Sequence, residues 1–379
     1  MNISRRSFLL AAFSAPLLGF QADAAEAKRS KRARSAGLKE AHASVARGQP
    51  SEFIFESIDG DVVRGGLENR HRHPASLTKM MTLYCVMETM RRFPDSFNLK
   101  TDVKITSDIN NPDFSKYHIY RSGRLKAGQI HSAEKLMKAC GTISCAASAT
   151  ALAVHTGQFW RTGKDQSSLE AFVQHMNVCA KRLGMRDTNF CNPVGTPDAR
   201  HYSTVADMAK LLRALYKNYR NLSHKSMGHP NADLFPVAGK CRHTSGFLRE
   251  HPRDTFFAKT GTTNAAGHCL AAMVEVKGKP YMGVIIGAAS SRECNDMMES
   301  MVRSAMLGKR RPGHDAAEHA ADRVSDRTPV PETRPVQKKI EMLHPAAVEK
   351  NLGGNMIRPK FSPRFFDAAP IGPSQSFKL

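Results

Sequence analysis

Seven apolar residues at helical spacing, Met80, Met81, Leu83, Tyr84, Val86, Met87 and Met90, follow directly on Pro74 and Ser76 in the stretch RHRHPASLTKMMTLYCVMETM. A helix apolar over so much of its circumference has to be buried on most sides, so the rest of the chain must wrap around it. Pro74 and Ser76 are start signals for that helix. Ser76 and Lys79 stand three residues apart at its front, on one helix face about 5–6 Å from each other. The pair reads either as a nucleophile with its base or as a hydroxyl and a solvated lysine in the first turn of a core helix. Ser-x-x-Lys alone does not choose between them.

The surroundings of that helix set the fold class. Before it, SEFIFESIDGDVVRGGLENR gives two short strands about the Asp59-Gly60 turn. After it, amphipathic helices are expected over Ser132–Cys140, Ala146–Val154, Ser168–Leu183 and Thr204–Tyr219. Strands return over Phe256–Lys259, Cys269–Val276 and Met282–Ala288, the last two joined across KGKP, and a final helix covers Arg292–Met306. Strand hairpin, helices, strand hairpin, helix is the order of a mixed α/β (α+β) fold. One antiparallel sheet is built from both ends of the chain and flanked by helices, with a helical region inserted between.

The flanks carry a different composition. Arg5-Arg6, an apolar Phe8–Phe20 segment broken by Ser14 and Pro16, and the small-x-small steps at Ala22-Asp23-Ala24 and Ala25-Glu26-Ala27 make residues 1–27 an export signal resembling the twin-arginine type. An ordinary secretory signal that happens to hold two arginines is the other reading. KRSKRARS opens a basic, disordered leader over residues 28–50. Residues 309–379 hold nine of the twenty prolines and no Trp or Tyr, which makes them a disordered, Pro-rich, basic tail. The domain is therefore expected over residues 51–308. A net charge of +22 suits anionic partners. A nucleic-acid partner is disfavoured by the export signal and the lack of any binding motif. No apolar run approaches the roughly 20 residues of a membrane span, and no stable membrane anchor is expected. The eight cysteines include no Cys-x-x-Cys and no Cys/His cluster at zinc spacing. No metal and no cofactor is expected.

A second motif changes the reading of Ser76 and Lys79. Lys259-Thr260-Gly261 ends a strand-like run in TFFAKTGTTNAAG, and Gly261 removes a side chain where a substrate backbone can approach. Ser-x-x-Lys at a helix start and Lys-Thr-Gly on a late strand are two of the three motifs of penicillin-recognising serine enzymes. The chain resembles the D-alanyl-D-alanine carboxypeptidases of the low-molecular-mass penicillin-binding type, peptidase family S11. The resemblance covers about Glu52 to Leu307 and is carried by HPASLTKMMTLY, by EAFVQHMNVCAKRLGMRDTNFCNPVGTPDARHYSTVADMAKLL and by FFAKTGTTNAAG.

The resemblance implies a β-lactamase/transpeptidase-like fold and an exported, periplasmic enzyme that trims D-alanine from peptidoglycan stem peptides. β-Lactams would be its covalent inhibitors. Ser76 would be the acylated nucleophile, Lys79 its base, depressed by burial and by the nearby Lys259, and Ser144 a proton relay to the leaving D-alanine. Lys259 and Thr260 would bind the terminal carboxylate beside Gly261. The backbone N–H groups of Ser76 and Thr262 would hold the oxyanion. The third motif, Ser-x-Asn, is broken: Ser144 is in place, but Ala146 stands where the family has asparagine. A catalytically impaired homologue that binds muropeptides or penicillin is one alternative, and an endopeptidase or weak β-lactamase on the same site is another. His71 and His73 read as surface residues, and Cys145 as a packed small residue.

Overall fold

The computed structural model describes residues 51–110, 125–234 and 236–308. The export signal, basic leader and Pro-rich tail read from the sequence lie outside the described residues. Five antiparallel strands form the main sheet: β1 (Glu52–Ser57), β2 (Val62–Gly66), β7 (Thr255–Thr263), β8 (Gly267–Val276) and β9 (Lys279–Ala288), in the order β2-β1-β9-β8-β7. The N-terminal hairpin is thus docked on the C-terminal one, with Glu52 opposite Ile286 and Ser57 opposite Tyr281. A sheet assembled from both chain ends is what the sequence led us to expect.

Both faces of this sheet are covered, which explains why β8 and β9 read as nearly continuous apolar runs. Ile54, Ala271, Met273, Met282, Val284 and Ile286 point into the larger core, on the side of the helical region. Their alternating neighbours Phe55, Leu270, Ala272, Val274 and Ile285 join a smaller core beneath the C-terminal helix, Ser291–Met306.

In the helical region the run that opened the sequence reading becomes α1, Thr78–Arg92, entered through a 3-10 turn at Ala75–Leu77. Every residue of α1 from Thr78 to Met90 is buried. Around it pack α2 (Ala133–Thr142), α3 (Ala146–Gly157), α4 (Ser168–Arg182) and α5 (Val205–Met227). The α4 start is a capping box, Ser167 with Glu170, as the pattern of a serine three residues before an acid suggests. The expected end of the fourth helix at Tyr219 marks a kink rather than an end. Tyr219 has φ −142° and ψ 34°, and helical structure resumes to Met227. Two three-residue strand pairs, β3 (Asp102–Lys104) with β4 (Ile130–Ser132) and β5 (Asn231–Asp233) with β6 (Lys240–Arg242), and three short helical pieces complete the described secondary structure.

Candidate active site

Ser76 sits in the 3-10 turn, one residue pair before α1 begins, and its hydroxyl makes no capping bond. That hydroxyl instead accepts from Lys79 Nζ at 2.9 Å. Lys79 is 2% exposed, and its ammonium also donates to the carbonyl of Val194 at 2.7 Å. The solvated-lysine reading is therefore excluded. Burial lowers the Lys79 pKa to about 8, with the Cys140 and Cys145 thiols pulling weakly the other way. Lys259, expected to add to that depression, turns its ammonium elsewhere.

The acceptor for Lys79 is presented by a loop that Asn192 ties together. Its Oδ1 accepts from the backbone N–H groups of Val194, Gly195 and Thr196 at 3.1, 2.7 and 3.2 Å, and its Nδ2 donates to Thr196 O at 3.0 Å. Gly195 is required here. It has φ +87°, and a Cβ would lie 1.8 Å from the Ala75 carbonyl oxygen, beside the nucleophile turn. His201 locks the same loop to α1. Its Nδ1 accepts from Cys191 N at 3.2 Å, so its Nε2–H donates to Thr78 Oγ1 at 2.9 Å. Burial drives the His201 pKa down to about 3, which keeps this tautomer neutral at any ordinary pH.

Opposite Ser76 lies β7. A Cβ on Gly261 would stand 3.0 Å from both Ser76 N and Ala75 Cβ, so the strand passes against the nucleophile with no room for a side chain. Lys259, fully buried, donates to Ser144 Oγ at 2.8 Å and to the Thr260 carbonyl at 2.7 Å. Thr260 Oγ1 donates to Thr244 Oγ1 at 2.6 Å, and Thr262 is exposed. His243 stands near this cation and is held neutral, its pKa lowered to about 3 by burial first and by Lys259 and Arg249 after it.

Ser144 occupies the bend before α3 with φ +60°, and Ala75 has φ +48°. Two of the four non-glycine residues with positive φ among the described residues thus lie at or beside the candidate site, where such strain is commonly stored. Ala146 is the first residue of α3 and 8% exposed. Its methyl group donates nothing, and the amide that the family pattern would supply has no substitute on that residue. Cys145 caps α3 by accepting from Ser148 N at 3.4 Å, and burial raises its pKa. It is a packed small residue, as read from the sequence. His71, read as a lone surface residue, stacks on Tyr202 and meets Asp187 at 3.2 Å in an exposed pair.

The structure thus brings Ser76 against Lys79, Ser144 against Lys259, and Gly261 against the Ser76 turn. Sequence reasoning missed Val194, Thr244 and His243. A backbone acceptor leaves no side-chain signature, so Val194 was visible only through the Asn192 and Gly195 that shape its loop.

Residues 41–290 match the peptidase S11 family, described as D-alanyl-D-alanine carboxypeptidase, over more than half of the chain. The chain belongs to peptidase family S11. This S11 chain is 26% identical over 261 residues to the D-alanyl-D-alanine carboxypeptidase DacF of Bacillus subtilis (strain 168), with 68% of this chain and 62% of the relative covered. It is 29% identical over 241 residues to a D-alanyl-D-alanine endopeptidase of Escherichia coli (strain K12), covering 63% of this chain and 71% of the relative. Among solved structures, it superposes on the D-alanyl-D-alanine carboxypeptidase DacD from Francisella tularensis with a TM-score of 0.56 at 24% identity, over 69% of this chain and 71% of the other. The Streptomyces K15 DD-transpeptidase gives 0.58 at 19% identity, over 68% and 96%. The fold is that of the DD-peptidases. The match spans less than two thirds of the B. subtilis relative.

Proposed function

We propose that this S11 chain is a serine-type D-Ala-D-Ala carboxypeptidase that removes the terminal D-alanine from peptidoglycan stem peptides through an acyl-enzyme on Ser76. The observation that carries the reading is the buried Lys79, whose ammonium lies 2.9 Å from the Ser76 hydroxyl and whose pKa is lowered to about 8. A lysine so placed is neutral in an appreciable fraction near neutral pH and can take the serine proton.

In the proposed cycle Lys79 Nζ, in its neutral form, accepts the Ser76 proton as Oγ attacks the penultimate D-alanine carbonyl. The N–H groups of Ser76 and Thr262 receive the oxyanion, a position supported by the close approach of Gly261 to Ser76 N. The proton held by Lys79 reaches the leaving amine of D-alanine through Ser144, which gives up its own proton and takes that one in its place, its oxygen held by Lys259. The Lys259 charge, held against Ser144 Oγ and the Thr260 carbonyl, attracts the substrate's terminal carboxylate. Water then hydrolyses the acyl-enzyme. Absence of the Ser-x-Asn amide leaves Lys79 still held by Ser76 and Val194, which supports turnover rather than binding alone.

Export by a twin-arginine-like signal to the periplasm, covalent inhibition by β-lactams, and a domain over residues 51–308 belong to the same reading. Among the described residues no helix is long and apolar enough to cross a membrane. The relative named as an endopeptidase raises a second reading, cleavage within cross-bridged peptides by the same acylation. The test offers the purified protein a stem pentapeptide ending in D-Ala-D-Ala and, separately, a cross-bridged muropeptide dimer. Release of free D-alanine from the first supports the carboxypeptidase. Cleavage of the dimer alone makes it an endopeptidase, and no covalent penicillin adduct would remove both readings.

A further inference from the structure

Away from Ser76, α1 and α4 face each other with a second cluster of chemically active groups. Cys85 comes from α1, and His175 and Cys179, one helical turn apart, come from α4. The two sulfurs and the His175 ring nitrogen all lie within 4.8 Å of one another. Glu88, also on α1, completes the group. Its Oε2 lies 3.2 Å from His175 Nε2 and 3.1 Å from Cys179 Sγ, and His175 Nε2 is 3.4 Å from Cys179 Sγ. All four side chains are buried, Cys85 and Cys179 completely.

We propose that Cys85, Glu88, His175 and Cys179 form a structural zinc site that staples α1 to α4. The three distances among Glu88, His175 and Cys179, 3.1, 3.2 and 3.4 Å, are close to the edges of one face of a zinc tetrahedron, about 3.3–3.8 Å for metal–ligand bonds of about 2.0–2.3 Å, and Cys85 Sγ lies within 4.8 Å of the His175 and Cys179 donors. Two sulfurs, one imidazole and one carboxylate are a donor set that favours zinc over magnesium or calcium. Charge closes as well. Two thiolates and a carboxylate carry three negative charges, the ion carries two positive ones, and Arg182, whose Nη2 donates to Glu88 Oε2 at 2.6 Å, supplies the third. A neutral assembly is what a buried site needs. Binding releases the two thiol protons to solvent and leaves His175 neutral. Arg182 is 44% exposed and lies over the cluster, so its movement opens a way in. Trp160 stacks on the His175 ring at 3.5 Å and fixes its plane. Helix spacing explains why no zinc pattern was legible: the ligands are paired at i,i+3 and i,i+4 on two helices some ninety residues apart in sequence.

The site's two α1 ligands, Cys85 and Glu88, lie about 9 and about 13 Å along the helix from Lys79, at the helical rise of about 1.5 Å per residue. Zinc there would fix the helix that carries the lysine against the helix that leads into the Asn192 loop.

The full chain, purified with reductant and chelator and then dialysed, is loaded with zinc or with cobalt as a spectroscopic substitute. We expect one equivalent of retained zinc by elemental mass spectrometry, cobalt–thiolate charge-transfer absorption, and a melting temperature several degrees higher with zinc than with chelator. Cys85→Ser and Cys179→Ser should lose the thiolate band and at least tenfold in zinc affinity, while Cys241→Ser retains both. Zinc retained equally by all three variants, or no thiolate band in the wild type, would overturn the site. So would a Cys85–Cys179 disulfide that forms with zinc present. None of these readouts depends on peptidase activity, and the wild-type spectrum decides the matter even if the serine variants fold poorly.

Discussion

Lys259 and Ser144 are 115 residues apart in the chain, and the ammonium of the first donates to the hydroxyl of the second at 2.8 Å. Lys79 makes the equivalent bond to Ser76. Each lysine therefore has its own serine, and the two pairs can be perturbed separately.

Lys259→Ala should separate recognition from bond breaking. The loss on a peptide ending in a free carboxylate is expected to exceed that on the same peptide amidated by about 1.5–3 kcal/mol, the worth of a hydrogen bond to a charged group. The kcat/KM ratio of the two substrates measures it. Equal losses would mean that the cation serves Ser144 and not the carboxylate.

Ser76→Ala should abolish the covalent mass that penicillin adds to the peptide containing residue 76 while leaving the melting temperature close to wild type, because the Ser76 hydroxyl caps no helix. An adduct that persists, or maps to another peptide, would sink the nucleophile assignment.

Acylation should depend on pH through Lys79. Only the neutral amine accepts a proton, and with a pKa about 8 the neutral fraction falls about tenfold for each pH unit below that value. The rate of penicillin acylation is therefore expected to rise from pH 6 to 8 and level off above. A flat profile across this interval would indicate that another group takes the proton.

Ala146→Asn restores the amide of the family pattern. A donor used mainly in the transition state is worth about 10²–10³ in rate, and a neutral ground-state hydrogen bond about 0.5–1.5 kcal/mol. We expect at least a several-fold gain in D-alanine release at matched folded concentration. A wild type already as fast, with no gain from asparagine, would mean that the Val194 carbonyl and Ser76 hydroxyl have taken over the holding of Lys79.

Gly195→Ala should do damage out of proportion to one methyl group. A Cβ at 1.8 Å from the Ala75 carbonyl, on a backbone at φ +87°, forces the Asn192 loop or the nucleophile turn to move. A loss of about 3 kcal/mol or more in chemical denaturation is expected, with slower acylation even where the protein is folded. Wild-type stability would show that the loop relaxes freely.

Much of this was legible because long amphipathic segments carry their own period. The strands around Asp59-Gly60, the runs that became α2 to α4, the start of α5, and the late hairpin across Lys277 to Pro280 all emerged within a few residues of where pattern put them. Strands of three residues, such as Asp102–Lys104, are too short to show a period. Tyr219 gave a false end because residues 220–227 hold only Leu222 and Met227 as apolar residues, so the spacing fades where the helix resumes. Motif residues pointed to Ser76, Lys79, Ser144 and Lys259 and paired Lys79 with Ser76, but gave no sign that Lys259 holds Ser144. That depends on how β7 packs against the α1 entrance, a long-range contact that no local spacing encodes.

The strand order has a consequence for when the candidate site comes into being. Ser76 and Lys79 are made early, yet β1, just ahead of them, has no inner neighbour until β9 arrives, and Lys259 and Gly261 belong to that same late hairpin region. A nascent or truncated chain that ends before Thr255 holds a serine and its lysine with no strand across from them and no cation for Ser144. Competence for the proposed acylation thus requires synthesis through the late strands, and a labelled β-lactam is expected to pass over fragments that end before Thr255.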